Sequence, residues 1–246
     1  MEQNRQPDES INKNRRRLLA LGTAVAVILG GTAVYSQFQL AERDQVQSSE
    51  HAVNYEHPLH KDITATVFWA GEGANSSNDF IHNRSSAWAV DWVSAYGGVD
   101  DPDNRCEYRP CAFTPKENPF YFALPFSDYT KTGLKPAEEL TVIPWYDEAT
   151  AKGETLLKNR WIQINHEDTV AYAQWVDVGP FEAHDAEYVF GDAAPISDRA
   201  GIDMSPALAD YLGIEGRAKV SWRFIDATDV PAGEWTKIIT RSAPKF

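Results

Sequence analysis

The sequence has few cysteines and no excess of positive charge, and both shortages exclude classes of protein. Two cysteines in 246 residues exclude a four-thiolate zinc or iron–sulfur site and a disulfide-dense scaffold. Lysine and arginine total 23 against 36 aspartates and glutamates, so the net charge of −13 argues against a nucleic-acid partner. Glycine and proline occur at ordinary frequencies, and no repeat of 20–50 residues is visible, which excludes collagen-like and repeat architectures.

The N-terminal region has the pattern of an export or anchor segment. Residues 1–17 are polar and end in a basic cluster, which predicts a cytoplasmic tail. Residues 18–35 carry no charge and predict a signal or membrane-anchor helix. Cleavage near Ser36 would release a secreted protein, whereas an uncleaved segment would hold the rest of the chain at the membrane, in the cell envelope and outside the cytoplasm. The sequence leaves both outcomes open.

The remainder of the chain divides into a linker and one domain. Residues 36–61 are polar and predict a linker, and residues 62–246 contain most of the aromatic side chains. Cys106 and Cys111 lie in a turn-like segment and are expected to form a local disulfide in an oxidising compartment; a redox-active pair is the alternative. The acidic run that begins at Asp100 is interpreted as a solvated turn rather than a calcium loop.

Short β-rich segments separated by turn residues predict a mainly β domain. Ser205 followed by Pro206 predicts the start of a helix, which Gly213 ends. The other expected elements are a strand over 63–69, a short helix over 87–96, strands over 121–124 and 140–145, a hairpin formed by 161–164 and 170–176 with its turn at 165–168, and a strand over 218–224.

Two motifs in the last third of the chain resemble a known family. A strand ends in Asp177-Val178-Gly179-Pro180-Phe181, and Ile202-Asp203-Met204-Ser205 opens the predicted helix. This order resembles the rare lipoprotein A group, closely over residues 160–225. The resemblance implies a six-stranded double-psi β-barrel with loop and helix insertions, here preceded by the N-terminal apolar helix. Residues 75–135 have no counterpart in the family and are expected to form an insertion.

The resemblance also implies a site for cell-wall polysaccharide. The same barrel occurs in expansins, family 45 endoglucanases and membrane-bound lytic transglycosylase A. In the lytic enzymes the aspartate matched by Asp203 is the catalytic acid, and the one matched by Asp177 lies beside it. Glu72 follows the first strand, where the endoglucanases place a second acid. The chain departs from rare lipoprotein A at Val178, where that group has arginine, and in a longer connection over 182–198.

A carboxylate pair suits glycosidic bond cleavage. The reaction needs a protonated carboxylic acid directed at the leaving oxygen, and a second carboxylate nearby raises one pKa of the pair. No metal or organic cofactor is required. Trp175 and Phe181 flank Asp177, and with Trp69 they are expected to stack on sugar rings. The expected partners are a polysaccharide and a membrane, the latter through residues 18–35.

Three other interpretations of the same residues remain. In the first, the barrel is a non-catalytic, expansin-like carbohydrate-binding module. In the second, it is a scaffold that displays the 75–135 insertion, and the third is purely structural. In a purely structural role, Asp177 accepts main-chain N–H bonds from its turn, and Asp203 stabilises the start of the following helix.

Overall fold

The computed structural model describes residues 57–76, 78, 80–130, 133–147 and 154–245. The predicted tail, the predicted apolar helix and nearly all of the predicted linker lie outside the described residues. In the part that is described, no helix has the length and apolar character needed to cross a bilayer.

The barrel contains both parallel and antiparallel neighbours. Its strands are β1 (His60–Val67), β4 (Tyr121–Leu124), β7 (Trp161–His166), β8 (Thr169–Val178), β9 (Ile202–Met204) and β10 (Arg217–Ile225). The order around the barrel is β1-β10-β7-β8-β4-β9, and β9 closes it against β1. β1 with β9 and β4 with β8 pair in parallel, and the other neighbours pair antiparallel. The mainly β prediction is therefore confirmed as a closed six-stranded mixed barrel.

Alternating side chains fill the interior of the barrel. Val220, Trp222 and Phe224 of β10 are buried, and the polar residues between them face outward. The Trp175 ring stacks between Phe122 and Phe224, with ring centroids 5.8 Å from each. Aromatic side chains thus take up the middle of the core, and the strand alternation decides which residues lie on the outer face.

Helices and short hairpins occupy the connections. The helices are α1 (Trp92–Tyr96), α2 (Ala137–Leu140), α3 (Ala186–Val189) and α4 (Pro206–Leu212), with a 3₁₀ helix at Glu234–Thr236. The two-residue strands β2 (Arg105–Cys106) and β3 (Arg109–Pro110) form one hairpin, and β5 (Tyr129–Thr130) and β6 (Gly133–Leu134) form another. A disulfide joins Cys106 and Cys111 across the first hairpin.

Several predicted elements are confirmed, and two are corrected. The β7–β8 hairpin forms with its turn narrowed to Glu167-Asp168, and Ser205 caps α4 by accepting the Leu208 N–H. The helix predicted over 87–96 forms only at Trp92–Tyr96. The strand predicted over 140–145 is absent, because α2 ends there in successive turns and Pro144 offers no N–H for a ladder.

The predicted insertion over 75–135 contains a barrel strand. β4 pairs with β8 on one side and with β9 on the other, so residues 121–124 belong to the barrel itself. The segment before β4 packs on the outside of the barrel, where Trp92 and Tyr96 of α1 meet Tyr121 and Val176 in a second buried cluster. This segment covers the outer face of β4 and β8 rather than projecting from the barrel.

Candidate functional site

A row of paired residues crosses five neighbouring strands on the outer face of the barrel. Arg217 of β10 pairs with Thr66 of β1, and Thr66 pairs in turn with Asp203 of β9. Ala123 of β4 then pairs with both Asp203 and Asp177 of β8. Because neighbouring strands lie about 4.8 Å apart, the Cα atoms of the two aspartates are separated by about 10 Å, with only a methyl side chain between them.

A β-bulge places Asp177 in this row. Phe122 pairs with Trp175, but the next residue of β4, Ala123, pairs with Asp177, so Val176 is the extra residue of β8. In a regular ladder Val176 would lie opposite Ala123, and Asp177 would fall one position further along. Bulges redirect side chains in this way and are common beside active sites. The bulge therefore brings the second acid beside the first.

The two aspartates line a single open cavity of about 400 Å³. Its floor is the row of paired residues, and its walls come from the segment after β1, the turn after β8 and the approach to β9. The walls contain Glu72, Asn78, Ile81 and Asn83 from the segment after β1, Phe181 from the turn after β8, and Arg199 from the approach to β9. The cavity brings together three carboxyl groups from distant parts of the sequence.

One oxygen of Asp177 is held by the main chain. Its Oδ1 accepts the N–H groups of Ala87 and Val178 at 2.7 and 2.8 Å. Among the described residues, none donates a hydrogen bond to Oδ2. Burial, with a smaller contribution from the charge of Asp203, raises the pKa of Asp177 to about 7 against the two amide bonds that lower it. Asp177 is thus anchored by one oxygen and retains a proton near neutral pH.

Asp203 has a different anchor. Its Oδ1 accepts a hydrogen bond from the hydroxyl of Thr66 on the neighbouring strand. Burial raises the pKa of Asp203 to about 6, the Thr66 hydroxyl lowers it, and the charge of Glu72 raises it. The structural hypothesis that Asp203 serves the start of α4 lacks a contact, since Ser205 makes that capping bond.

Glu72 is the third acid of the cavity. It is 5% exposed, and its Oε2 accepts the Asn83 side-chain amide at 2.6 Å. Main-chain bonds between residues 72 and 83, and between residues 71 and 83, close the surrounding loop. Burial raises the pKa of Glu72, while the amides of Asn78 and Asn83 lower it. The charge of Glu72 raises the pKa of Asp203, and the charge of Asp203 raises the pKa of Asp177, so the three acids are coupled in sequence.

The predicted aromatic row is only partly present. Phe181 is 41% exposed and lines the cavity, with the Arg199 guanidinium 3.8 Å from its ring centroid. Trp175 is 0% exposed, so the prediction that it stacks on a sugar is wrong. Its indole N–H donates to the Asp177 carbonyl at 2.7 Å, which makes it a support for the strand end. Trp69 does not line the cavity.

Sequence reasoning missed several residues of the site. Thr66, Ala123 and Arg217 were not singled out, although the alternation of buried Ala65 with Thr66 marks the latter as outward-facing. No local pattern marks Ala123 or Arg217, because their place depends on pairing between distant strands. Within the described ranges, no cluster of three or more histidines, cysteines or acids is arranged to hold a metal ion.

No protein-family model matches the chain, and no curated protein matches it significantly.

Proposed function

We propose that this protein is a double-psi β-barrel that cleaves a cell-wall polysaccharide by a lytic transglycosylase-type reaction. Asp203 donates its proton to the bridging oxygen, and the hydroxyl of the sugar itself displaces the leaving group. Asp203 then accepts the proton of that hydroxyl. Asp177 tunes the pKa of the pair and stabilises positive charge at the sugar.

One observation carries this proposal: two aspartates, 26 positions apart in sequence, line one cavity, and each keeps an oxygen without a partner among the described residues. By contrast, Asp128, which does not line the cavity, has both oxygens occupied by donors. Raised pKa values of about 6 and 7 also suit a group that must hold and then give up a proton near neutral pH.

The raised pKa of Asp177 supports a second assignment of roles. In it Asp177 is the acid and Asp203 is the carboxylate that supports positive charge. The two assignments differ in their pH–rate profiles. With Asp203 as acid, activity falls above about pH 6, whereas with Asp177 as acid it is maximal between pH 6 and pH 7.

The closed mixed barrel supports the double-psi architecture. A long strand runs into Asp177-Val178-Gly179-Pro180-Phe181, and a strand that carries Asp203 leads directly into a helix, as in the rare lipoprotein A group. The Cys106–Cys111 disulfide supports an oxidising environment, and hence export, with residues 18–35 as signal or anchor.

A non-catalytic carbohydrate-binding module is the second candidate. The exposed ring of Phe181 beside the Arg199 guanidinium favours it, since such a surface holds sugars without cleaving them. The scaffold interpretation has less support, because the segment before β4 packs on the barrel and donates the Ala87 N–H to the site.

Product analysis tests the proposal. The purified full-length protein is incubated with peptidoglycan and, separately, with cellulose, and the soluble products are identified by mass spectrometry. We expect anhydro-sugar ends from peptidoglycan that disappear in Asp203→Asn. New reducing ends would contradict the transglycosylase step and indicate hydrolysis. Unchanged glycan that co-sediments with the protein would favour the binding module.

A further inference from the structure

The row of paired residues that contains Asp177 and Asp203 ends at Arg217, whose side chain is a cation. Arg217 is the first residue of β10 and pairs with Thr66, whose hydroxyl donates to Asp203. Two strand spacings, about 10 Å, therefore separate the Cα atoms of Arg217 and Asp203, on the side away from Asp177. The floor of the cavity runs from two acids at one end to a guanidinium at the other.

Arg217 makes one side-chain hydrogen bond to the residues that the structure describes. One of its N–H groups donates to the main-chain carbonyl of Arg199. In the part of the chain that the structure describes, no carboxylate forms an ion pair with Arg217. Arg199 also lines the cavity, with its guanidinium over the Phe181 ring.

The same cavity also contains an acid and an amide. Glu72 and Asn83 line it, linked by a hydrogen bond of 2.6 Å. A glycan in the cavity would therefore meet three carboxyl groups, an amide and the Arg217 guanidinium. For a chain with a net charge of −13, an exposed guanidinium in line with two carboxylates is a local reversal of charge.

We infer that the guanidinium of Arg217 binds a carboxylate carried by the sugar on the β10 side of Asp203, so that the substrate is an acidic glycan. The inference rests on the proposed function only in placing a glycan in this cavity. A guanidinium fork matches a carboxylate with two parallel N–H bonds, which a neutral sugar does not offer. The carboxylate belongs either to a uronic acid or to a lactyl group on an amino sugar.

Calorimetric binding at pH 7.5 and low salt tests the inference without requiring cleavage. The full-length protein is titrated with oligogalacturonate and with the same oligosaccharide as its methyl ester. A second pair is an amino-sugar oligosaccharide with a free lactyl carboxylate and its lactyl amide. We expect at least one acid to bind about tenfold more tightly than its neutral partner, and the pair that responds identifies the source of the carboxylate.

Two variants assign the effect to Arg217. Arg217→Ala is expected to remove the preference for the acid. Lys219→Ala removes the same charge two residues along β10, where Lys219 instead donates to the Asp62 carbonyl at 2.8 Å, and is expected to preserve the preference. Equal loss in both variants, equal binding of acids and neutral partners, or no binding of either acid would overturn the inference. Selective binding without any cleavage would uphold it and refute the proposed lytic reaction.

Discussion

Hydrogen bonding separates the fully buried carboxylate of Asp128 from the two half-buried carboxylates of the cavity, Asp177 and Asp203. Asp128 is 0% exposed and accepts four donors, from Trp88, Thr155, Leu156 and Leu157, at 2.6–3.3 Å. Both of its oxygens are used, and it ties the segment before β4 to the segment before β7. Asp177 and Asp203 each have one oxygen bonded, and both line an open cavity.

The difference indicates which acids are available for chemistry. Desolvation acts on any buried carboxylate, but a full set of donors commits both oxygens to the fold. A carboxylate with one bonded oxygen is oriented by that bond and still has a lone pair for a substrate. Burial alone therefore does not distinguish a catalytic acid, whereas burial combined with a free oxygen and a cavity does.

The largest expected effect is on catalysis. Asp203→Asn and Asp177→Asn keep the shape of each side chain and remove its proton chemistry, so the rate of glycan cleavage should fall by about 10²–10⁴-fold. Product release measured by mass spectrometry or by soluble sugar ends checks this. Asp168→Asn, in the exposed β7–β8 turn, is the matched control and should keep full activity. Full activity in either cavity variant would remove that residue from the reaction.

The next largest effect is on stability, at the other kind of carboxylate. Asp128→Ala leaves four donors without their acceptor and should lower the free energy of unfolding by about 3 kcal/mol. Denaturant unfolding measures this loss. Asp177→Asn should cost less than Asp128→Ala at pH 7.5. A reversed order would show that the comparison of the two kinds of acid is wrong.

The pH dependence of stability follows from the raised pKa of Asp177. The folded pKa of about 7 exceeds the ordinary value of 3.8, so the native state binds this proton more tightly than the unfolded chain does. The resulting stabilisation is complete below about pH 4 and is lost as the pH rises through 7. Between pH 5 and pH 8 the wild type should lose about 2.5 kcal/mol relative to Asp177→Asn. Parallel pH profiles of unfolding free energy would contradict this assignment.

The smallest expected effect is on glycan binding, and it distinguishes the two aromatic residues that flank Asp177. Phe181→Ala removes an exposed ring from the cavity wall and should weaken glycan binding about fivefold. Trp175→Phe removes the buried N–H bond to the Asp177 carbonyl and part of a buried ring, costing about 2–3 kcal/mol of stability, and should leave glycan binding unchanged. Co-sedimentation and calorimetry measure the binding. Weaker binding by Trp175→Phe alone would restore a sugar-binding role for Trp175.

Local sequence patterns predicted some of these elements well. The alternation in β10, the β7–β8 hairpin and the Ser205 cap depend on neighbouring residues, and all are present. The two aspartates were selected from motifs, and the structure brings them to one cavity. Glu72 was noted only through the resemblance.

The rest of the site could not be predicted from the sequence, because it depends on pairing between strands that are far apart along the chain. β4 has only four residues, all of them buried, so it carries no alternation, and its place between β8 and β9 is a matter of topology. The bulge at Val176 and the pairing of Arg217 with Thr66 likewise depend on strands far apart in sequence. The prediction of a strand over 140–145 is wrong because these residues form successive turns without strand pairing.

The central claim is that Asp177 and Asp203 share one cavity and influence each other's protonation. Carboxyl ¹³C shifts of selectively labelled aspartate, followed by NMR from pH 3 to pH 9, measure this directly. The account predicts midpoints near 7 for Asp177 and near 6 for Asp203, and a lower midpoint for Asp177 when Asp203 is replaced by asparagine. Two independent titrations with midpoints near 4 would contradict it.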